Sequence, residues 1–168
     1  HQQGREALYI PNFGVEQRGG VSIAYCQISD EPIGSPKFKT ADLVVALSSR
    51  AVGRTRQYVD KNTVFVYDSS IEGIEEELPR EAKAIYNIPA LDIAKEKFHP
   101  RVFNVVIMGA AIAATKIVPM ERAKAALENK LGYKFAKDPS LREMNFKALE
   151  EGARVMAETM KTMAAKEG

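Results

Sequence analysis

The sequence is poor in the residues that metal and redox sites need. Its 168 residues include one cysteine, two histidines and no tryptophan. A single thiol cannot form an intramolecular disulfide, and thiolate zinc and iron–sulfur sites need several cysteines, so this chain alone can build neither. Cys26 lies in the middle of an apolar segment, where cysteine usually acts as a small hydrophobic residue. We therefore expect no metal site in this chain.

An excess of positive charge and a long apolar run are also missing. Lysine and arginine number 24 against 22 acidic residues, which gives a net charge of +2. A dedicated nucleic-acid-binding domain usually carries a clear basic patch or arm. The most apolar segment, 102–115, contains Asn104 and ends at Lys116, whereas a membrane span needs roughly 20 apolar residues. The sequence predicts binding to neither nucleic acid nor a membrane.

The composition is that of an ordinary globular domain, with 45% hydrophobic and 27% charged residues. We expect a single domain over residues 1–168. Residues 1–5 resemble the last turn of a helix with Gly4 as its C-cap, and one turn is not stable alone. We therefore expect the domain to be N-terminally incomplete, with a strand, loop and helix missing before His1.

Short apolar segments alternate with helical ones over the first hundred residues. The predicted strands are 7–10, 21–29, 43–47, 64–67 and 84–88, and the predicted helices are 50–58 and 90–94. Segment 21–29 is apolar on both faces, which favours a place inside a sheet that is covered on each side. This alternation predicts an α/β fold, a three-layer sandwich with a mostly parallel central sheet.

The remainder of the chain is predicted to be helical. Segment 102–115 reads as a buried core helix, and Pro119 as the first residue of a helix that ends at Gly132. Residues 140–143 form a capping box that opens a long C-terminal helix with an apolar stripe extending to Met163. This helix packs on its own domain in the simplest interpretation. Its length and methionine content leave open that the distal half packs on a partner.

The loop at residues 14–20 is the most unusual segment. Its sequence, Gly-Val-Glu-Gln-Arg-Gly-Gly, places a carboxylate and a guanidinium beside glycines. Glycine amides and Arg18 could bind a phosphate or carboxylate group. Alternatively, Glu16 and Arg18 form an internal ion pair, and the glycines supply the positive φ angles of a tight crossing.

Two further polar residues are candidates for a role. Asn104 stands in an apolar helix, where it could anchor the glycine-rich loop or touch a ligand. His99 precedes the same helix and reads as a surface or capping residue. No Ser-His-Asp set, recognisable pair of carboxylates or Walker-type loop is present, so the chain shows no complete active site.

Several motifs together resemble one enzyme family. They are the loop 14–20, the turn 28–36 (Ile-Ser-Asp-Glu-Pro-Ile-Gly-Ser-Pro), the strand 41–47, the segments 89–94, 100–104 and 108–110, and 145–152 (Asn-Phe-Lys-Ala-Leu-Glu-Glu-Gly). In this order they cover nearly the whole chain, which resembles the gamma subunit of 2-oxoacid:ferredoxin oxidoreductases. The family pattern begins with a strand and a glycine loop that this sequence lacks, in agreement with the expectation about His1.

The resemblance implies a subunit role in the coenzyme A-dependent oxidative decarboxylation of pyruvate, 2-oxoisovalerate or 2-oxoglutarate. It implies that alpha, beta and ferredoxin-like delta subunits hold thiamine pyrophosphate and the iron–sulfur clusters, that ferredoxin accepts the electrons, and that the complex is cytoplasmic. This chain would be a non-catalytic assembly subunit on the coenzyme A side, inactive by itself and binding no cofactor alone.

The resemblance further implies a surface that faces a ligand or another subunit. Its residues are Gly14, Glu16, Arg18, Gly19, Gly20 and Asn104. Two alternatives stay open: the small subunit of an indolepyruvate ferredoxin oxidoreductase, and a stand-alone binding or regulatory module with the same fold.

Overall fold

The computed structural model describes residues 40–116 and 119–167, together with the backbone of 6–13 and 22–29. The predicted helical turn at residues 1–5 lies outside these ranges, as do the loop 14–20 and most of the turn 28–36. By packing, the chain divides into two compact units. One contains His1–Phe65 and Ile71–Ile85, and the other contains Val66–Ser70 and Tyr86–Gly168. The single-domain interpretation stays a prediction.

The two N-terminal strands form a sheet of their own. Strand β1 (Glu6–Phe13) pairs antiparallel with β2 (Ser22–Ser29), in a register that places Tyr9 opposite Cys26. A parallel pair needs a connection of a dozen or more residues, and segment 14–21 is shorter, so the chain returns antiparallel. The prediction that segment 21–29 lies inside the main sheet, which rests on its two apolar faces, is therefore wrong. Strand β1 continues through Pro11, which a two-stranded sheet tolerates because both strands are edges.

The second sheet has three parallel strands, β3 (Leu43–Ala46), β4 (Val64–Asp68) and β5 (Ala84–Ile88), in the order β3-β4-β5. All three follow the predicted apolar runs, and the α/β class with a mostly parallel main sheet is confirmed. Helix α1 (Ser49–Thr55) follows β3 and passes into a 3-10 turn, Arg56–Tyr58. It begins where the Ser48 hydroxyl accepts a hydrogen bond from the Ala51 amide at 3.1 Å.

Helix α2 (Ala90–Lys97) follows β5, and a 3-10 turn, Pro100–Val102, leads into α3 (Phe103–Thr115). Helix α3 packs closely on the last helix, α5 (Pro139–Glu167). A Cβ added at Gly109 of α3 would overlap the carbonyl oxygen of Leu149, and one added at Gly152 would overlap that of Val106. The two backbones approach so closely because a glycine faces the partner helix from each side.

Helix α4 (Met120–Lys137) begins directly after Pro119 and runs past Gly132, so the prediction that Gly132 ends it is wrong. The apolar stripe continues beyond this glycine to Phe135, which is buried. The ring of Phe135 lies edge-on to the ring of Phe146 of α5, with 6.4 Å between the two ring centroids. Burial of that aromatic ring outweighs the roughly 1 kcal/mol that a glycine costs inside a helix.

The predicted long C-terminal helix is confirmed, but it begins two residues earlier than the capping box indicates, because that box places Ser140 before the helix and Leu141 as its first residue. Helix α5 spans 29 residues, about 43 Å at 1.5 Å per residue. Its capping side chain is Asp138, whose Oδ1 accepts hydrogen bonds from the amide and the hydroxyl of Ser140 at 3.1 and 2.5 Å. Pro139 occupies the first helical position, which needs no amide hydrogen. No helix in the described ranges is long and apolar enough to cross a membrane.

Candidate functional site

The loop predicted to face a ligand lies outside the residues that the structure describes. This applies to Gly14, Glu16, Arg18, Gly19 and Gly20. The choice between an anion-binding loop and an internal Glu16–Arg18 ion pair therefore stays a prediction.

The sixth predicted residue, Asn104, lies in the first turn of α3 and is exposed. An exposed amide can hydrogen-bond to water, so burial does not force Asn104 to find a partner within the chain. Its side chain is accessible to a ligand or to another protein.

The capping interpretation of His99 is confirmed. This exposed residue precedes the turn Pro100–Val102, and its Nδ1 accepts hydrogen bonds from the backbone amide of Arg101 at 3.1 Å and from Nε of Arg101 at 3.2 Å. The imidazole lone pair is thus used to start the helical segment that continues into α3.

A buried carboxylate at the end of β4 is a feature that sequence reasoning missed. Asp68 is 1% exposed, and its Oδ1 accepts a hydrogen bond from the amide of Leu91 at 3.1 Å. Its Oδ2 accepts hydrogen bonds from the amide of Ser70 at 3.0 Å and from the Ser70 hydroxyl. Three donors on one carboxylate satisfy most of its acceptor positions. Asp68 therefore fixes the start of α2 to the end of β4.

The position of Asp68 also suits its charge. The first amides of a helix have no partner within the helix and carry a partial positive charge, which a carboxylate offsets. Pro89, which precedes α2, supplies no side-chain cap. The available sequence signal is the run Asp68-Ser69-Ser70 directly after a strand, but nothing in that run identifies Leu91, 23 residues away, as the donor.

Next to this buried group lies an exposed chain of polar side chains. The hydroxyl of Ser69 donates a hydrogen bond to Oδ1 of Asn87, and Nδ2 of Asn87 donates to the hydroxyl of Tyr67 at 3.1 Å. The amide of Ser69 donates to the carbonyl of Ile88 at 2.8 Å. These groups lie at the carboxyl ends of β4 and β5, the edge where open parallel sheets usually bind ligands.

The groups described at this edge are hydrogen-bonding hydroxyls and amides together with one buried carboxylate. Among the described residues Asp68 is the one buried ionisable group, and its oxygens are occupied by hydrogen bonds that hold the fold. The described residues also contain no group of three or more His, Cys, Asp or Glu side chains placed to hold a metal ion. A cluster of iron and sulfur does not fit this chain, which has a single cysteine.

Comparison with known proteins identifies the family. The family model of pyruvate ferredoxin/flavodoxin oxidoreductase matches residues 1–155. The 2-oxoglutarate synthase subunit KorC of Methanocaldococcus jannaschii is 33% identical over 124 residues, which cover 73% of this chain and 66% of the relative.

Two solved structures share the fold. The gamma subunit of a keto/oxoacid ferredoxin oxidoreductase from Geobacter sulfurreducens matches with a TM-score of 0.71 and 25% identity, over 92% of this chain and 82% of that one. A 2-oxoglutarate:ferredoxin oxidoreductase from Magnetococcus marinus, with 2-oxoglutarate, coenzyme A and succinyl-CoA bound, matches with a TM-score of 0.77 and 26% identity, over 91% of this chain. The match spans only 26% of that longer chain.

These relatives favour the gamma-subunit interpretation over the indolepyruvate alternative. The present chain spans just under two thirds of the KorC relative and about a quarter of the Magnetococcus chain. The family match over most of its length shows that the chain belongs to the pyruvate ferredoxin/flavodoxin oxidoreductase family.

Proposed function

We propose that this chain is the gamma-type subunit of a 2-oxoacid:ferredoxin oxidoreductase. The complex would carry out coenzyme A-dependent oxidative decarboxylation of pyruvate, 2-oxoisovalerate or 2-oxoglutarate. The observation that carries the proposal is the family match over residues 1–155, in agreement with the gamma-subunit fold of the Geobacter structure.

The chain serves the complex as an assembly subunit on the coenzyme A side and performs no catalytic step itself. Its chemistry supports this division of labour, since one cysteine cannot hold a cluster without ligands from another chain and the buried Asp68 accepts a hydrogen bond from the start of helix α2. Thiamine pyrophosphate and the iron–sulfur clusters belong to alpha, beta and ferredoxin-like delta subunits. The complex is cytoplasmic and passes its electrons to ferredoxin.

The side that faces coenzyme A or a neighbouring subunit comprises Gly14, Glu16, Arg18, Gly19, Gly20 and Asn104. Glycine amides together with a guanidinium form a site of the kind that binds phosphate or carboxylate groups. Arg18 supplies the positive charge of this site.

Arg18→Ala tests the ligand-facing loop. We expect the assembled complex to show a raised KM for coenzyme A or a lower yield of assembly. Arg80→Ala is the control, because Arg80 is an exposed arginine whose guanidinium donates a hydrogen bond to the carbonyl of Glu75 in its own loop. Unchanged coenzyme A kinetics and unchanged assembly in the Arg18 variant would rule the loop out.

The function itself is tested by affinity purification of the tagged chain from its native host. We expect partner subunits that bind thiamine pyrophosphate and iron to purify together with the chain. An assay of the purified complex with several 2-oxoacids, coenzyme A and ferredoxin should then show which 2-oxoacid is oxidised. Recovery of the chain without any thiamine-binding protein would instead support a stand-alone binding module.

A further inference from the structure

Helix α3 differs from the other long helices because it carries no charge on any face. Its 13 residues, Phe103–Thr115, include only two polar side chains, Asn104 and Thr115. The hydroxyl of Thr115 bonds back to the carbonyl of Ala111 at 2.8 Å, so it offers little to solvent. A helix that is apolar all round is normally buried on all sides.

Among the described residues, the fully buried positions of α3 lie on one side of the helix. Val105, Val106, Gly109 and Ala110 are buried, and Val106 and Gly109 meet the backbone of α5. Helices α4 and α5 show the usual pattern instead, since their outward sides carry ion pairs such as Arg142–Glu128 and Lys147–Glu143. The remaining side of α3 has no such charges.

We define the outer face of α3 as Asn104, Ile107, Met108, Ala111 and Thr115. At 3.6 residues per turn these five positions fall within about a third of the helix circumference, opposite the buried residues. Asn104 is exposed, Met108 is 39% exposed and the other three are half-buried. An uncharged apolar strip of this kind is typical of a surface that another protein covers.

The longer relative indicates what covers this face. In the Magnetococcus enzyme the matching region is only 26% of a longer chain, so the domain is covalently joined to further parts of the oxidoreductase. Where the domain is a separate subunit, those parts must be held by a non-covalent interface. Permanent interfaces of this type are more apolar than transient ones.

Building on the function proposed above, we propose that the outer face of α3 is the docking surface for the partner subunit that corresponds to the remaining part of the longer relative. Met108 is the apolar anchor of this interface. Asn104 lies at one end of the face and supplies a hydrogen bond to the partner.

Cysteine labelling tests the proposal on the assembled complex. In a Cys26→Ser background, which removes the one native thiol, Met108→Cys is treated with an alkylating reagent in the isolated chain and in the complex. We expect rapid labelling in the isolated chain and at least about tenfold slower labelling in the complex, since interfaces exclude water at their centre. Ala126→Cys, at an exposed position of α4, is the control and should react equally in both.

Equal labelling of Met108→Cys in both states would overturn the docking proposal while leaving the proposed function intact. Protection already in the isolated chain would also overturn it, because a second copy or a segment of this chain would then cover the face. Failure of the chain to join any 2-oxoacid oxidoreductase would reject the proposed function and the docking surface together.

A charge placed on the face provides an independent measurement. Met108→Lys should weaken association with the partner subunits by at least about tenfold, because an unpaired charge at an apolar interface costs more than the 1.4 kcal/mol that a factor of ten represents. Circular dichroism should show that the variant is folded, since Met108 is exposed in the isolated chain. Ala126→Lys should associate normally, and normal association of both variants would contradict the proposal.

Discussion

Two glycines set the distance between α3 and α5. At both Gly109 and Gly152 the Cβ of any other residue would overlap a carbonyl oxygen of the facing helix. Backbone atoms cannot rotate away as a flexible side chain can, so the helices would have to move apart. The apolar residues between them, Val106 and Leu149 among them, would then lose close contact.

Gly109→Ala is therefore expected to destabilise the protein by about 1–3 kcal/mol or more, the usual cost of overpacking a core. Gly132→Ala is the matched control, because Gly132 also lies inside a helix but has no atom within 4 Å of an added Cβ. It should stabilise the protein by up to about 1 kcal/mol through helix propensity. Urea denaturation of both variants measures the difference, and similar effects of the same sign would contradict the close-packing account.

A charged network on α5 makes stability depend on pH. Oε1 of Glu151 accepts hydrogen bonds from Nζ of Lys97 at 3.0 Å and from Nε of Arg154 at 3.1 Å, and Arg154 also pairs with Glu158 at 3.0 Å. The hydrogen bonds from Arg154 lower the pKa of Glu151 below its ordinary value, with smaller contributions from Lys97, and partial burial opposes them. The folded state therefore holds the ionised form of Glu151 more strongly than the unfolded state does.

Because the pKa of Glu151 is lower in the folded state, its stabilisation is complete above the ordinary glutamate pKa and is lost as the pH falls through the folded value. Glu151→Gln should lower the free energy of unfolding by up to about 1 kcal/mol at pH 7. It should not lower it at a pH where the Glu151 carboxylate of the parent protein is protonated. Glu143→Gln, which breaks the more exposed pair with Lys147, should have a smaller effect. Thermal melts between pH 7 and pH 3 that show a constant difference for Glu151→Gln would contradict this account.

At the scale of elements, Asp68 joins a strand to a helix that follows the next strand. Asp68→Ala would leave the amides of Leu91 and Ser70 without their acceptor, at an expected cost of about 1–3 kcal/mol. Hydrogen exchange should accelerate at the Leu91 amide and in the first turn of α2. Asp92→Ala removes a charge from the same turn at an exposed position and should leave exchange at Leu91 nearly unchanged. Equal acceleration in both variants would show that charge, rather than the Asp68 hydrogen bond, is what matters.

The elements that the sequence predicted well are those with a purely local signal. Strands β3, β4 and β5 are short, largely apolar runs closed by turn residues, and α3 is a largely apolar segment that ends before Lys116. The boundary errors arise where a distant contact outweighs the local preference. Gly132 does not end α4, because Phe135 packs on Phe146 of another helix.

The site is less accessible to sequence reasoning for the same physical reason. The role of Asp68 depends on Leu91, and that of Gly109 depends on Leu149, and neither partner is indicated by its neighbours in the sequence. The glycine-rich loop has a clear chemical pattern, but its ligand would be fixed by surroundings that a pattern of residues does not specify. Arg18 therefore stays a prediction.

At the scale of the whole molecule, the scarcity of cysteine indicates that any iron–sulfur cluster of the complex is held mainly by other subunits. A [4Fe–4S] or [2Fe–2S] cluster is ordinarily held by several thiolates, and this chain has one thiol, Cys26. We expect the chain purified alone under anaerobic conditions to contain no stoichiometric iron and to oxidise no 2-oxoacid. Iron analysis and a ferredoxin-reduction assay measure both properties.

The same ferredoxin-reduction assay shows whether the complex requires this chain for activity. Added to a complex prepared without it, the chain should restore coenzyme A-dependent oxidation of the 2-oxoacid, whereas Met108→Lys should restore it only at higher concentration, because that variant binds the complex more weakly. Ala126→Lys should act like the parent chain. A complex that is fully active without the chain, or an isolated chain that oxidises 2-oxoacids by itself, would contradict an assembly role, because each would place every necessary group on one side of the interface.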